Sequence, residues 1–123
     1  MAPEKQRHYF NPARAQAVLD KIRDWYNSGV LPEVFGPARR DAYKHYRLQF
    51  ADMVGFIVDN VTIDDYFKTT KDDFGRVGYA HHVFKPCFPG KSKDFLYIKI
   101  MVCFTKGYFR RIMITSFKPQ DDD

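Results

Sequence analysis

FLYIKIMVCFTKGYFRRIMITSFK, residues 95–118, decides how this chain folds. Its opening residues alternate without a break. Leu96, Ile98, Ile100 and Val102 fall on one side, and Tyr97, Lys99, Met101 and Cys103 on the other. Successive side chains of a strand point to opposite faces, so a period of two reads as a strand with one apolar and one mixed face. Thr105-Lys106-Gly107 then supplies a hairpin signal, and YFRRIMITSFK returns as the partner strand.

Upstream the period changes. Asn11 then Pro12 gives an N-cap followed by proline at the first helical position. Ala15, Val18, Leu19, Ile22, Trp25 and Tyr26 follow at helical spacing, and Asn27-Ser28-Gly29 stops the helix. Gly36-Pro37 opens a second helix, ARRDAYKHYRLQ, with Ala42, Tyr43 and Tyr46 as its apolar stripe. Arg39, Arg40, Lys44 and Arg47 decorate its other side, as a basic recognition helix or, more plainly, a solvated face. A third segment, FADMVGFIVDNV, groups Phe50, Met53, Val54, Ile57 and Val58. Thr62 and Asp65 resemble a capping box and predict a short helix, TIDDYFKTT, carrying Lys68 near its end.

Helices first and strands after is an α+β order, with N-terminal helices packed on one face of a mainly antiparallel C-terminal β-sheet. A single domain spans 1–123, with a helical half at about 11–70, a sheet half at about 77–118 and a short acidic tail. The helices are expected to cover one sheet face and leave Tyr97 and Lys99 facing solvent on the other.

Hydrophobic residues are 45% of the chain and charged residues 28%, which fits a soluble globular protein. No apolar run approaches the ~20 residues of a membrane helix, and MAPEKQRHYF lacks the apolar core of a signal peptide. The expectation is a cytoplasmic protein without a membrane partner. Cys87 and Cys103 read as free thiols there, and without Cys-x-x-Cys spacing they make a poor zinc site. The net charge of +5 is uneven: residues 1–78 hold 12 Lys/Arg against 11 Asp/Glu, but residues 79–118 hold eight against Asp94 alone. A basic half suits a polyanion, most simply nucleic acid, against the plainer reading of a lysine-rich solvated sheet face.

The basic half also contains YAHHVFKP, residues 79–86. In a regular strand His81 and His82 point to opposite faces and cannot share one ligand. With no His-x-Glu, His-x-x-x-His or adjacent carboxylate cluster, no metal site is expected. One plain reading is a histidine packed with a satisfied hydrogen bond. The sharper one is RNA cleavage without metal. That reaction needs a base, a cation for the phosphorane charge and an acid for the leaving 5′-oxygen. Histidine titrates near neutrality, and lysine and arginine hold phosphate. The available set is His81 or His82, Tyr97, Lys99, Arg110 or Arg111, and Lys118, with Lys68 arriving from the helical side. No phosphate-cradling glycine loop or cofactor motif favours a small-molecule enzyme, and no cofactor is expected.

Three stretches occur together in a known order: DDYFKTT (64–70), YAHHVFKP (79–86), and LYIKIMV (96–102) with IMITSFK (112–118). On these the chain resembles the MqsR-type mRNA interferases, toxins of bacterial toxin–antitoxin pairs with a RelE-like α+β fold. The family patterns are Asp-aromatic-aromatic-Lys-Ser/Thr, then aromatic-Gln-Asp-Val-aromatic-basic-Pro, then Tyr-Leu-Lys-Ile-Thr-Val with a closing Val-Ser-Phe-Lys. The likeness covers roughly residues 45–118. It implies Lys68, His81 and Tyr97 as catalytic residues and Lys118 as a substrate-binding or supporting residue. Lys85, Lys99 and Arg111 join it as RNA-binding cations of the basic half. The family usually has glutamine at the place of His81 and an acid at that of His82; a histidine can also transfer a proton. A shift of one would make His82 the active residue, but Lys85 and Pro86 anchor the alignment on His81, leaving His82 to pack on the far side. The resemblance implies cytoplasmic, metal-free cleavage of single-stranded mRNA. The implied partner is a cognate antitoxin with zinc-binding and helix-turn-helix parts. Two alternatives stay open: a ribosome-dependent RelE-like toxin and a non-catalytic nucleic-acid-binding module.

Overall fold

The structure, a computed structural model, describes residues 8–89 and 91–120; the acidic tail (121–123) lies outside them. In chain order the elements are β1 (His8–Tyr9), α1 (Pro12–Asn27), β2 (Glu33–Val34), α2 (Gly36–Tyr46) and α3 (Phe50–Asn60). A 3-10 turn (Ile63–Asp65) leads to β3 (Tyr66–Lys71), β4 (Tyr79–Phe84), β5 (Cys87–Phe88), β6 (Lys91–Thr105) and β7 (Tyr108–Pro119). The fold is α+β.

Local chemistry sets the helix ends. The Asn11 side-chain oxygen accepts from the Arg14 amide at 3.2 Å, and Pro12 needs no amide partner. The chain leaves α1 through Gly29 at φ 80°. At Gly55 a Cβ would sit 3.0 Å from the Tyr26 hydroxyl, so glycine permits the close approach of α3 to α1. On α2 the buried positions are Ala38 and Ala42, and Tyr46 is half-buried. Tyr43, expected in the apolar stripe, is instead exposed.

Strand order is β1-β3-β4-β6-β7-β2, with β5 pairing to the start of β6. The pairs are antiparallel except β2 with β7, which is parallel. Lys106 and Gly107, at φ 54° and 86°, make the two-residue turn between β6 and β7, the left-handed pair that matches strand twist. Leu96, Ile98, Ile100 and Val102 are buried with Ile112, Ile114 and Phe117 of β7. They meet Val18 and Ile22 of α1, Ala38 and Ala42 of α2, and Met53 and Ile57 of α3 in one core.

The helix expected over residues 62–70 does not form. Thr62 and Asp65 do make the reciprocal cap, but it closes one 3-10 turn, and Tyr66–Lys71 pair as a strand with β4. Aromatic and β-branched residues in YFKTT favour the pleated conformation once a partner edge is available. Lys68 therefore comes from the sheet and not from a helix. Strand residues at 33–34 and 66–71 also interrupt the supposed helical half.

Candidate active site

A bulge decides which way Lys68 points. Tyr66 pairs with Phe84 but Lys68 pairs with Val83, so Phe67 is the extra residue. Without it Lys68 would oppose His82 and enter the core as a charge. With it Lys68 reaches the helix-free face, while Thr69 stays opposite His82 inside. Directly paired residues share a face, so the register fixes the layout of that face. One row runs Lys68–Val83–Lys99–Ser116 across β3, β4, β6 and β7. The next row, ~7 Å along the strands, runs Thr70–His81–Met101–Met113. On the other side Tyr97 pairs with Lys118, whose Nζ lies 5.9 Å from the Tyr97 ring centroid. A second bulge leaves Thr115 unpaired, and its hydroxyl donates to the Lys99 carbonyl at 3.2 Å. Lys85 lies at the margin, its Nζ 3.7 Å from the Phe67 ring centroid.

This face is less open than the alternation implies. Val83, Met101 and Cys103 are buried although they point away from the helices, and Tyr97 and Lys99 are half-buried. The cover near Met101 is the connection from β3 to β4. Asp72 accepts from the Arg76 amide at 3.1 Å and from its guanidinium at 2.9 and 2.8 Å. Arg76 lies 4.0 Å above the Tyr79 ring and reaches the Met101 sulfur at 3.6 Å. Gly78, at φ 81°, makes this path possible, because a Cβ there would fall 2.3 Å from Thr105 Cγ2. The Asp72 side chain is only 2% exposed. Hydrogen bonds from Arg76, with a smaller one from His81, hold its carboxyl well below the usual range, so Asp72 is ionised.

The two histidines divide as the alternation requires. His81 lies on the helix-free face with Nε2 3.2 Å from Asp72 Oδ1. Because Asp72 is ionised, Nε2 carries the proton and donates. Nδ1 is left as the free lone pair; it has no partner and is covered. Burial lowers the His81 pKa, opposed by the bond to Asp72. His82 is fully buried on the core face. Its Nδ1 lies 2.9 Å from the Thr69 hydroxyl, which meets the Tyr66 hydroxyl at 2.5 Å. Tyr66 in turn accepts from the Asn11 amide at 2.8 Å, tying the helix cap to the sheet. Burial foremost, then the positive charge of Arg14, pushes the His82 pKa down to about 4. His82 is neutral and structural in this arrangement.

Lys68, His81, Tyr97, Lys99 and Lys118 thus occupy one face. Arg111 shares it, but its guanidinium is gripped by Glu33 of β2 at 2.7 and 3.1 Å and also bonds Tyr79. Glu33, Asp72 and Arg76 were not legible as site residues. The signal for the last two was DDFGRVG, an Asp and an Arg four apart with glycines at 75 and 78 that bend the chain back. Burial raises the Tyr97 pKa, so its hydroxyl keeps its proton at neutral pH. The face therefore brings together a neutral imidazole, a protonated phenol and ammonium groups, the parts of a metal-free phosphoryl-transfer site.

Among the described residues no group of three or more His, Cys, Asp or Glu is placed to hold a metal ion. Cys87 and Cys103 are free thiols. No described helix is long and apolar enough to cross a membrane. Searches of protein-family models, curated proteins and solved structures find no match to this chain.

Proposed function

We propose that this protein is a metal-independent endoribonuclease of the mRNA-interferase type, with a RelE-like sheet. The observation that carries the reading is the row Lys68–Val83–Lys99, flanked on the same face by His81 on one side and Tyr97 on the other, with His82 turned into the core. Lys68 and Lys99 hold the scissile phosphate and its developing charge. Neutral His81 takes the proton of the 2′-hydroxyl as its oxygen attacks phosphorus. The bond from phosphorus to the 5′-oxygen breaks, and that oxygen takes a proton from Tyr97. The products are a 2′,3′-cyclic phosphate and a 5′-hydroxyl. Lys118, Lys85 and Phe67 line the approach of the strand.

In the resting arrangement Asp72 holds one His81 nitrogen and the other is covered, so the Arg76 arm must move before His81 meets substrate. A phosphate is a competent rival to Asp72 for a guanidinium. The resemblance over residues 45–118 supports the same reading and with it a cytoplasmic setting and an antitoxin partner. The test is incubation of naked RNA with excess chelator and analysis of the new ends. Cyclic phosphate and 5′-hydroxyl ends, lost in Lys68→Ala and Tyr97→Phe, are expected. Intact naked RNA with cut message in a translation extract would instead indicate the ribosome-dependent mode. The covered His81 nitrogens favour the other rival, a binder without catalysis, which predicts salt-sensitive binding and intact RNA in both assays.

A further inference from the structure

The basic helix that was open to two readings has a cavity beside it. Where α2 turns into α3, Arg39, Arg40, Tyr43, Leu48, Gln49 and Phe50 line an open hollow of about 490 Å³. It lies on the helical side of the sheet, away from Lys68, His81 and Tyr97. That volume falls in the range of small-ligand sites.

Several features of this corner are unfavourable for stability alone. Arg39 and Arg40 sit at the beginning of α2, where the helix dipole is positive and cations are disfavoured. That first turn holds no acidic residue, and Phe35 provides no side-chain cap. Among the described residues Arg39, Arg40, Lys44 and Arg47 make no ion pair. Asp41 on the same helix pairs with none of them, and Asp52 on α3 is bonded to the Gln49 amide at 3.3 Å. Two of the guanidinium groups lie near aromatic rings instead. Arg39 lies 5.0 Å from the Phe50 ring centroid and Arg47 5.3 Å from that of Tyr43. A guanidinium beside a ring keeps N–H donors for an anion. Tyr43 itself is 50% exposed.

We infer that the α2–α3 corner is a second binding site for single-stranded RNA, with a phosphate between Arg39 and Arg40 and a base against Tyr43. The inference rests on the reading of this protein as one that acts on RNA and adds a contact remote from the cleavage chemistry. Cations with free donor edges beside exposed rings are the means by which single strands are held without sequence preference. An acidic peptide would use the charges but not the exposed part of the Tyr43 ring.

The experiment is fluorescence anisotropy of a labelled 2′-O-methyl oligouridylate across a salt series. It compares wild type, Arg39→Ala/Arg40→Ala, Tyr43→Leu and Lys68→Ala, with cleavage kinetics on ordinary RNA alongside. The double variant is expected to bind about tenfold more weakly, with a salt slope lower by about 0.7, the value for one phosphate contact to a single strand. Its kcat should hold while KM rises. Tyr43→Leu should weaken binding without changing the slope. Wild-type affinity and slope in the double variant would overturn the site while leaving the cleavage reading intact. A double variant with unchanged KM would overturn it in the same way. Equal displacement of the probe by poly-glutamate, matched for charge, would overturn it in favour of an acidic peptide. No RNA binding by wild type would remove both readings together.

Discussion

The two basic regions of this protein use their positive charge in opposite ways. On the helix-free sheet face both arginines are held by carboxylates: Arg76 by Asp72 and Arg111 by Glu33. On α2 and at its C-cap, Arg39, Arg40, Lys44 and Arg47 have no acidic partner among the described residues, and Arg39 and Arg47 lie near aromatic rings instead. Counted along the chain, the first half is nearly neutral and the second half strongly basic. Folding reverses part of that division, because Glu33 of the first half neutralises Arg111 on the sheet. A charge tally by segment shows how many cations there are, but only the tertiary structure shows which remain available to a ligand.

The sharpest contrast is catalytic. Lys68→Ala and Tyr97→Phe should each lower kcat/KM by about 100-fold or more, measured on naked RNA, while Arg40→Ala leaves kcat in place. Equal effects at the two regions would erase the distinction. A second effect separates the two histidines. The unfolded chain protonates His82 near 6.5, but the folded protein resists until about 4. Stability is thus complete above pH 6.5 and falls as the pH drops toward 4, by about 3 kcal/mol at 1.36 kcal/mol per pH unit. Thermal melts across that window should show the decline, and His82→Asn should remove most of it.

Smaller effects probe the paired charges. Asp72→Asn leaves Arg76 without its carboxylate and His81 without its orienting acceptor. Since Arg76 is partly exposed, the expected stability loss is about 1–2 kcal/mol in denaturant unfolding, with slower cleavage because the imidazole loses its fixed tautomer. Unchanged stability would show that the Asp72–Arg76 clasp is idle. Least of all, Glu33→Gln should change the melting free energy by under ~1 kcal/mol, because that pair is solvent-exposed. It should nonetheless tighten RNA binding by about threefold as Arg111 is freed, an increase readable by anisotropy.

The elements with strong local signals were legible in the sequence. The alternation from Leu96 to Cys103, the Lys106-Gly107 turn and the Asn11-Pro12 helix start are each dictated by neighbouring residues, and each forms as read. The opposite facing of His81 and His82 followed from the same period of two. What depended on distant partners was not legible. YFKTT becomes a strand because the edge of β4 is there to receive it, and the bulge at Phe67 has no signature in the residues themselves. Tyr43 looked apolar, but α2 is turned so that Ala38 and Ala42 meet the core. Glu33 and Asp72 entered the site through pairings 78 and nine residues apart, which composition does not encode.

The most direct measurement is amide and side-chain chemical-shift mapping of the full chain with a non-cleavable 2′-O-methyl oligonucleotide. The account predicts shifts at Lys68, Tyr97, Lys99 and Lys118 on the sheet and at Arg39, Arg40 and Tyr43 on α2, with the exposed side of α1 at Asp20 and Arg23 silent. Shifts confined to α1, or none at the Lys68–Lys99 row, would contradict it.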